Sequence, residues 1–185
     1  MRRNKTNYYL DIAETVSARG TCLRRNYGAI IVKNDEIIST GYNGAPRGRR
    51  NCSDIGFCTR ENLRIPSGER YELCRSVHAE ANAIISAARK DMIGATLFLV
   101  GRDMKTGELN PNAESCSMCK RLIINSGIET VIVRNTPEEY TITNAITGSV
   151  RYAPKTKYYK YTAFIETDEV FNANGIYTLD DLKTF

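Results

Sequence analysis

Histidine occurs once in this 185-residue sequence and tryptophan not at all. Any chemistry that needs an imidazole therefore falls to His78. No apolar run approaches the roughly 18 residues of a membrane span. The N-terminal stretch MRRNKTNYYLDIAETV is basic but lacks the apolar segment of a secretion signal. A Gly-rich phosphate loop, an internal repeat and a low-complexity linker are also missing. Six cysteines without a secretion signal point to a reducing compartment, the cytoplasm, and to metal chemistry instead of disulfides.

What is present suits a single folded domain over residues 1–185, with 42% hydrophobic and 25% charged residues. The net charge of +5 is uneven. Residues 1–50 carry ten Lys and Arg against four acids, whereas residues 166–185 carry five acids and one base. Such a bias suits an anionic substrate, although a solvated basic face is the plainer explanation.

The chemistry concentrates in two short motifs, His78-Ala79-Glu80 and Cys116-Ser-Met-Cys119. Catalytic zinc takes three protein ligands and keeps one position for water. His78, Cys116 and Cys119 supply that ligand set, and zinc lowers the pKa of bound water to about 7. Glu80 lies two residues beyond the histidine, outside the ligand count, where a carboxylate can shuttle protons as general acid and base. A core histidine with two buried thiols is the bland alternative, and redox motifs share the Cys-x-x-Cys spacing. A helix beginning at each ligand set favours the metal, because the dipole there stabilises thiolate.

Periodicity predicts a helix over 8–19 capped by Asn7, then a β-hairpin of 27–33 and 37–42 around the 33–36 turn. A Gly-, Arg- and Cys-rich stretch follows over 43–75, too long to be structureless in a compact domain. Helices are predicted over 78–90 and 116–125, and strands over 95–100 and 130–134. The segment 151–161 alternates basic and aromatic residues. A strand with surface tyrosines accounts for it better than a platform for nucleic-acid bases.

The H-x-E plus Cys-x-x-Cys combination is similar to the signature of zinc nucleobase deaminases, with Ser115 where proline is usual. Together with Cys22-Leu-Arg-Arg-Asn-Tyr-Gly-Ala-Ile-Ile-Val, Ser39-Thr-Gly-Tyr-Asn-Gly-Ala-Pro-Arg-Gly48 and Leu122-Ile-Ile-Asn-Ser-Gly-Ile128, it makes residues 8–135 resemble the deoxycytidylate (dCMP) deaminase family. The resemblance implies an α/β fold, the three-layer cytidine-deaminase type with a mixed central sheet. It implies hydrolysis of dCMP to dUMP and ammonia, with Glu80 protonating N3 of the ring and then assisting the departing amine. The Ala79 N–H would meet the base carbonyl, the Ser115 carbonyl would sit near the leaving amine, and Asn43 would orient sugar or base. The simpler reading of Asn43-Gly44 is a turn. A nucleotide substrate and a homo-oligomer are implied; a membrane partner is not, and nucleic acid is disfavoured by the acidic tail.

Two segments depart from the family pattern. Fourteen residues, 101–114, stand where a few are usual, and nothing is recognised in the extension over 136–185, where Tyr140 is the nearest candidate for a nucleotide contact. Some family members carry a second, structural zinc. Cys22 and Cys52 match two of its positions, and Cys58 and Cys74 would complete a four-thiolate set, against the alternative of four reduced thiols. For a 5′-phosphate the candidates are Arg24, Arg25, Arg47 and Arg49, whose guanidinium forks suit phosphate oxygens. Competing functions are a zinc deaminase for another nucleotide, nucleoside or tRNA base, and a zinc-stabilised nucleic-acid-binding module that would have no use for Glu80.

Overall fold

In the run Arg25–Lys33, successive side chains alternate between two apolar environments, and this places the strand at the middle of a sheet covered on both faces. Ala29 and Ile31 join one buried cluster, while Ile30 and Val32 join the other. Strand Thr96–Asp103 does the same with Leu97 and Leu99 against Phe98 and Val100. A strand buried on both faces reads as a continuous apolar run, as both do. The computed structural model describes residues 2–66 and 68–153; for 150–153 only the backbone is described.

The elements are α1 (Lys5–Ser17), β1 (Arg25–Lys33), β2 (Glu36–Tyr42), α2 (Cys52–Ile55), α3 (Thr59–Asn62), a 3₁₀ turn (Tyr71–Leu73), α4 (Ala79–Ile85), α5 (Arg89–Met92), β3 (Thr96–Asp103), α6 (Ser117–Ser126), β4 (Thr130–Arg134), β5 (Tyr140–Asn144) and β6 (Val150–Ala153). The sheet runs β2-β1-β3-β4-β5-β6. Only β3 and β4 are parallel; the other neighbours are antiparallel. Helix α1 covers one face through Tyr9, Leu10 and Ala13. The other face carries α4 through Ala79 and Ala83 and α6 through Ile123. This is the three-layer mixed α/β architecture expected from the resemblance. Among the described residues no helix is long and apolar enough to cross a membrane.

Local chemistry explains the element ends, and some differ from expectation. Asn4, not Asn7, caps α1, its side chain accepting from the Asn7 N–H at 2.8 Å. Asn7 is buried inside the helix. The hairpin turns through Asn34 (φ 51°) and Asp35 (φ 69°), residue types that tolerate the left-handed region. The helix predicted over 78–90 is two: α4 stops at Ser86, and a separate turn, α5, follows. Gly127 (φ 86°) ends α6, its left-handed backbone favoured by glycine. The 101–114 segment is not a bare loop, because β3 runs on to Asp103 and folds back, with Asn110 N donating to Gly101 O at 2.8 Å. Beyond β4 the chain adds a β5–β6 hairpin that periodicity had not marked. Of the basic and aromatic run 151–161, residues 154–161 lie outside the described residues, as does the acidic end.

Candidate active site

Two helix starts converge beside the sheet on the α4/α6 face. His78 is the N-cap of α4, and Cys116 is the N-cap of α6 with Cys119 in its first turn. The backbone before α4 is tied down by Val77, whose N–H donates to Gly44 O at 2.8 Å and whose carbonyl accepts from Gly44 N at 3.1 Å. Helix α4 is fixed to β2 by Ser39 Oγ donating to Ala83 O and by Asn82 Nδ2 donating to Tyr42 O. These bonds set where an imidazole and two thiols meet.

The His78 Nδ1 lies 3.5 Å from Cys116 Sγ and 3.4 Å from Cys119 Sγ. Among the described residues these three form the one group of candidate ligands whose atoms all lie within 4.8 Å of one another. The thiols resist sharing two negative charges. The hydrogen bond from Cys119, seconded by His78, brings the Cys116 pKa down to about 4. The same contact with Cys116, together with burial, pushes Cys119 far up. A divalent cation is what lets both ionise. One nitrogen and two sulfurs suit zinc, which takes such ligands in tetrahedral sites, so the donor set fits that ion.

Glu80, in the first turn of α4, is only 4% exposed. Burial raises its pKa, partly opposed by His78, as a group poised to carry a proton requires. The buried Ser115 Oγ has no well-formed hydrogen bond, yet lies near enough to Glu80 to pull the carboxyl slightly the other way. His78 itself is drawn in both directions. Burial lowers its pKa, while Cys116 and Glu80 raise it, and the net direction is upward. Tyr71 packs edge-on against the imidazole, ring centroids 4.9 Å apart.

A cavity of about 110 Å³ opens onto His78, Ala79, Glu80 and Cys116. Ala79 sits in the first turn of α4, where the helix leaves backbone N–H groups unpaired. Arg24 and Arg25 also line this cavity, as do Cys22, Cys74 and Asn43. Asn43 reaches it with its amide already engaged: Oδ1 accepts from Tyr27 N and Nδ2 donates to Arg25 O, both at 2.8 Å. These two bonds fix the Asn43 side chain in the cavity wall and leave one N–H and one lone pair of its amide for a substrate. A second cavity of about 290 Å³ adjoins, lined by Asn110, Asn112 and Glu114 from the 101–114 segment and by Gly68, and sharing Arg25, Tyr27, Tyr71 and Cys116.

Of the sequence candidates for substrate contact, Ser115, Tyr140, Arg47 and Arg49 are not among the residues lining this cavity. Tyr140 begins β5 on the sheet face that carries α1, packing with Ile142 against the Tyr9–Leu10 cluster, because alternation along the strand sends it there. Arg47 and Arg49 are exposed around the turn at Gly48. The cysteines Cys22, Cys52, Cys58 and Cys74 are free and share a neighbourhood. Burial raises the Cys52 and Cys74 thiols, with smaller contributions from the other cysteines. No three of them, however, approach one another as closely as the His78 group. Sequence reasoning missed Arg60, Tyr71 and Tyr27, all in the cavity wall. Nothing in the local pattern separates Arg60 from the other arginines of the 43–75 stretch.

The model for the cytidine and deoxycytidylate deaminase zinc-binding region matches residues 3–135. The chain belongs to the cytidine and deoxycytidylate deaminase family. A deoxycytidylate deaminase of Mycobacterium phage D29 is 38% identical over 130 residues, covering 68% of this chain and 90% of the phage protein. The T4 phage deoxycytidylate deaminase is 31% identical over 159 residues, with 69% and 76% coverage. The fission yeast deoxycytidylate deaminase is matched over only 26% of its length, at 37% identity over 45% of this chain. Among solved structures, the dCMP deaminase of cyanophage S-TIM5 superposes with a TM-score of 0.51 at 27% identity, over 74% of this chain and 86% of that one. The same cyanophage enzyme is known in complex with dCMP and dUMP. For a member of this deaminase family, the His78 cluster is the expected zinc-binding region.

Proposed function

We propose that this chain is a deoxycytidylate deaminase, converting dCMP and water to dUMP and ammonia. The observation that carries the reading is the buried Glu80 carboxyl beside the only close His/Cys/Cys cluster among the described residues. The deoxycytidylate deaminases of phages D29 and T4 support the substrate. His78, Cys116 and Cys119 would hold the zinc, which when bound makes water ionisable near neutral pH. Glu80 takes one proton of the attacking water and passes it to N3 of the pyrimidine; it then takes the proton of the hydroxyl now on C4 and delivers it to the departing amine, leaving the C4 carbonyl of dUMP and ammonia. The first-turn N–H of Ala79 holds the base carbonyl, and the Ser115 backbone carbonyl faces the amine. Burial helps Glu80 hold a proton between these steps.

A single deaminase domain spans 1–185, with the Cys-rich insertion at 43–75 and an extension at 136–185. It acts as a homo-oligomer in the cytoplasm. A second zinc is held by Cys22, Cys52, Cys58 and Cys74, drawn together from a shared neighbourhood; it would fix an insertion whose own helices are four residues each. The second cavity favours one alternative, a nucleotide with a larger substituent on the base.

Glu80→Gln tests the chemistry. It should retain zinc and melt like the wild type, yet lose at least ~10²-fold in turnover, the usual contribution of a general acid or base. Near-normal ammonia release by the zinc-loaded variant overturns the role of Glu80. Elemental analysis should find two zinc ions per chain, falling to one in Cys52→Ser.

A further inference from the structure

We infer that Arg60, carried by the Cys-rich insertion, is the residue that recognises the 5′-phosphate of the substrate. This rests on the deaminase reading and deepens it. Arg60 is 6% exposed and lines the cavity that opens onto His78 and Glu80. Its Nη2 donates to the Pro66 carbonyl at 2.9 Å, whereas its buried Nε has no partner. Among the described residues no carboxylate lies within ion-pairing distance of it. Glu72 feels the Arg60 charge only at longer range and spends its own carboxylate on Arg70. A buried guanidinium without a direct ion-pair partner is costly, and an anion that enters the cavity removes that cost.

The other cavity arginines are less suited. Arg24 already faces Glu61 at 3.4 Å, and Arg25 is exposed at the edge of β1. The guanidinium carbon lies over the Tyr71 ring, 4.5 Å from its centroid, and the Tyr71 and His78 rings meet nearly at right angles, centroids 4.9 Å apart. Cation–π contact holds the guanidinium in place without consuming its N–H donors. One tyrosine ring therefore separates the anion-seeking group from the metal-ligating imidazole. In a nucleotide, the sugar separates the phosphate from the reacting ring carbon in the same way. A phosphate at Arg60 and a pyrimidine at Glu80 satisfy both ends of the cavity together.

The test compares dCMP with deoxycytidine in the zinc-loaded full-length protein. Arg60→Gln should lose at least ~10²-fold in kcat/KM on dCMP, mainly through KM, and stay within about threefold of the wild type on deoxycytidine. Equal losses on both substrates would mean that Arg60 only clamps the insertion, and an undiminished preference for dCMP would equally overturn the assignment. Arg60→Lys keeps the charge and the fold but not the fork. Its preference should fall at least tenfold, and an unchanged preference refutes the inference even if Arg60→Gln fails to fold. Inorganic phosphate supplies a readout independent of turnover. It should raise the melting temperature of the wild type and not of Arg60→Lys, and equal shifts refute the inference. If the wild type releases no ammonia from either substrate, the deaminase reading fails, while the phosphate shift still judges Arg60.

Discussion

A methyl group added to Gly41 should cost more activity than stability. Gly41 lies on β2 where α4 crosses it, and a Cβ there would stand 2.3 Å from the Ala79 carbonyl oxygen and 2.4 Å from the Ala83 nitrogen. Non-bonded heavy atoms rest at about 3.5–4.0 Å, so strand and helix must part by roughly 1 Å. Both obstacles are backbone atoms and cannot swing aside. The helix that retreats carries Glu80 and is capped by His78, while Cys116 and Cys119 ride on α6. The displacement therefore opens the His78 cluster instead of moving it as a unit. Overpacking of this kind costs about 1–3 kcal/mol. A 1 Å misplacement at a reacting centre costs about 10²-fold in rate. Gly28→Ala is the matched control, since its Cβ would meet Ala13 O at 2.0 Å and Ser17 N at 2.4 Å, in α1 on the opposite face. Thermal melts, chelator competition for zinc and ammonia release should be measured on both variants. Both should melt lower, by roughly 2–4 °C per kcal/mol. Only Gly41→Ala should surrender zinc faster and lose ~10²-fold in kcat/KM. Equal zinc loss in the two variants, or wild-type turnover by Gly41→Ala, refutes the reasoning.

Arg134 is 2% exposed by side chain and ion-paired to Asp11 and Glu14 at 2.7 Å each. Glu14→Ala should cost about 3 kcal/mol in urea unfolding because it strips a buried cation of one partner. Glu14→Ala with Arg134→Met should recover most of that loss, and no recovery would show that the charge itself is not the burden. Burial works against the Asp11 carboxylate, but hydrogen bonds from Arg3 and Arg134 more than offset it and leave its pKa below the ordinary value. A depressed folded-state pKa adds stability that is complete above the unfolded value and is lost as pH falls through the folded one. The urea midpoint should therefore drop below about pH 4, and Asp11→Asn should flatten part of that drop. Asn43→Ala removes two hydrogen bonds to β1 and should cost about 1–3 kcal/mol, with dCMP and deoxycytidine turnover falling together. A selective loss on one substrate, without a change in melting, would give Asn43 a direct substrate role.

The chain itself marks the reaction class, because His78-Ala-Glu80 and Cys116-x-x-Cys119 are spacings that local helix geometry converts into ligands at helix starts. The apolar runs around Ile30, Leu97 and Val131 likewise mark strands buried on both faces, since a short unbroken apolar run is a local feature of the sequence. That His78 and the cysteines meet could only come from the tertiary structure, because about forty residues of sequence lie between them and the β2–α4 and sheet contacts bring α4 beside α6. The same holds for the direction of a side chain. Tyr140 looked available in sequence, yet strand alternation and the α1 layer turn it away from the cavity. Asn43 looked free, yet two backbone groups of β1 hold its amide in place. Arg60 was one arginine among several until the fold buried it beside Tyr71 without a direct ion-pair partner, and burial is set by the packing of the folded chain.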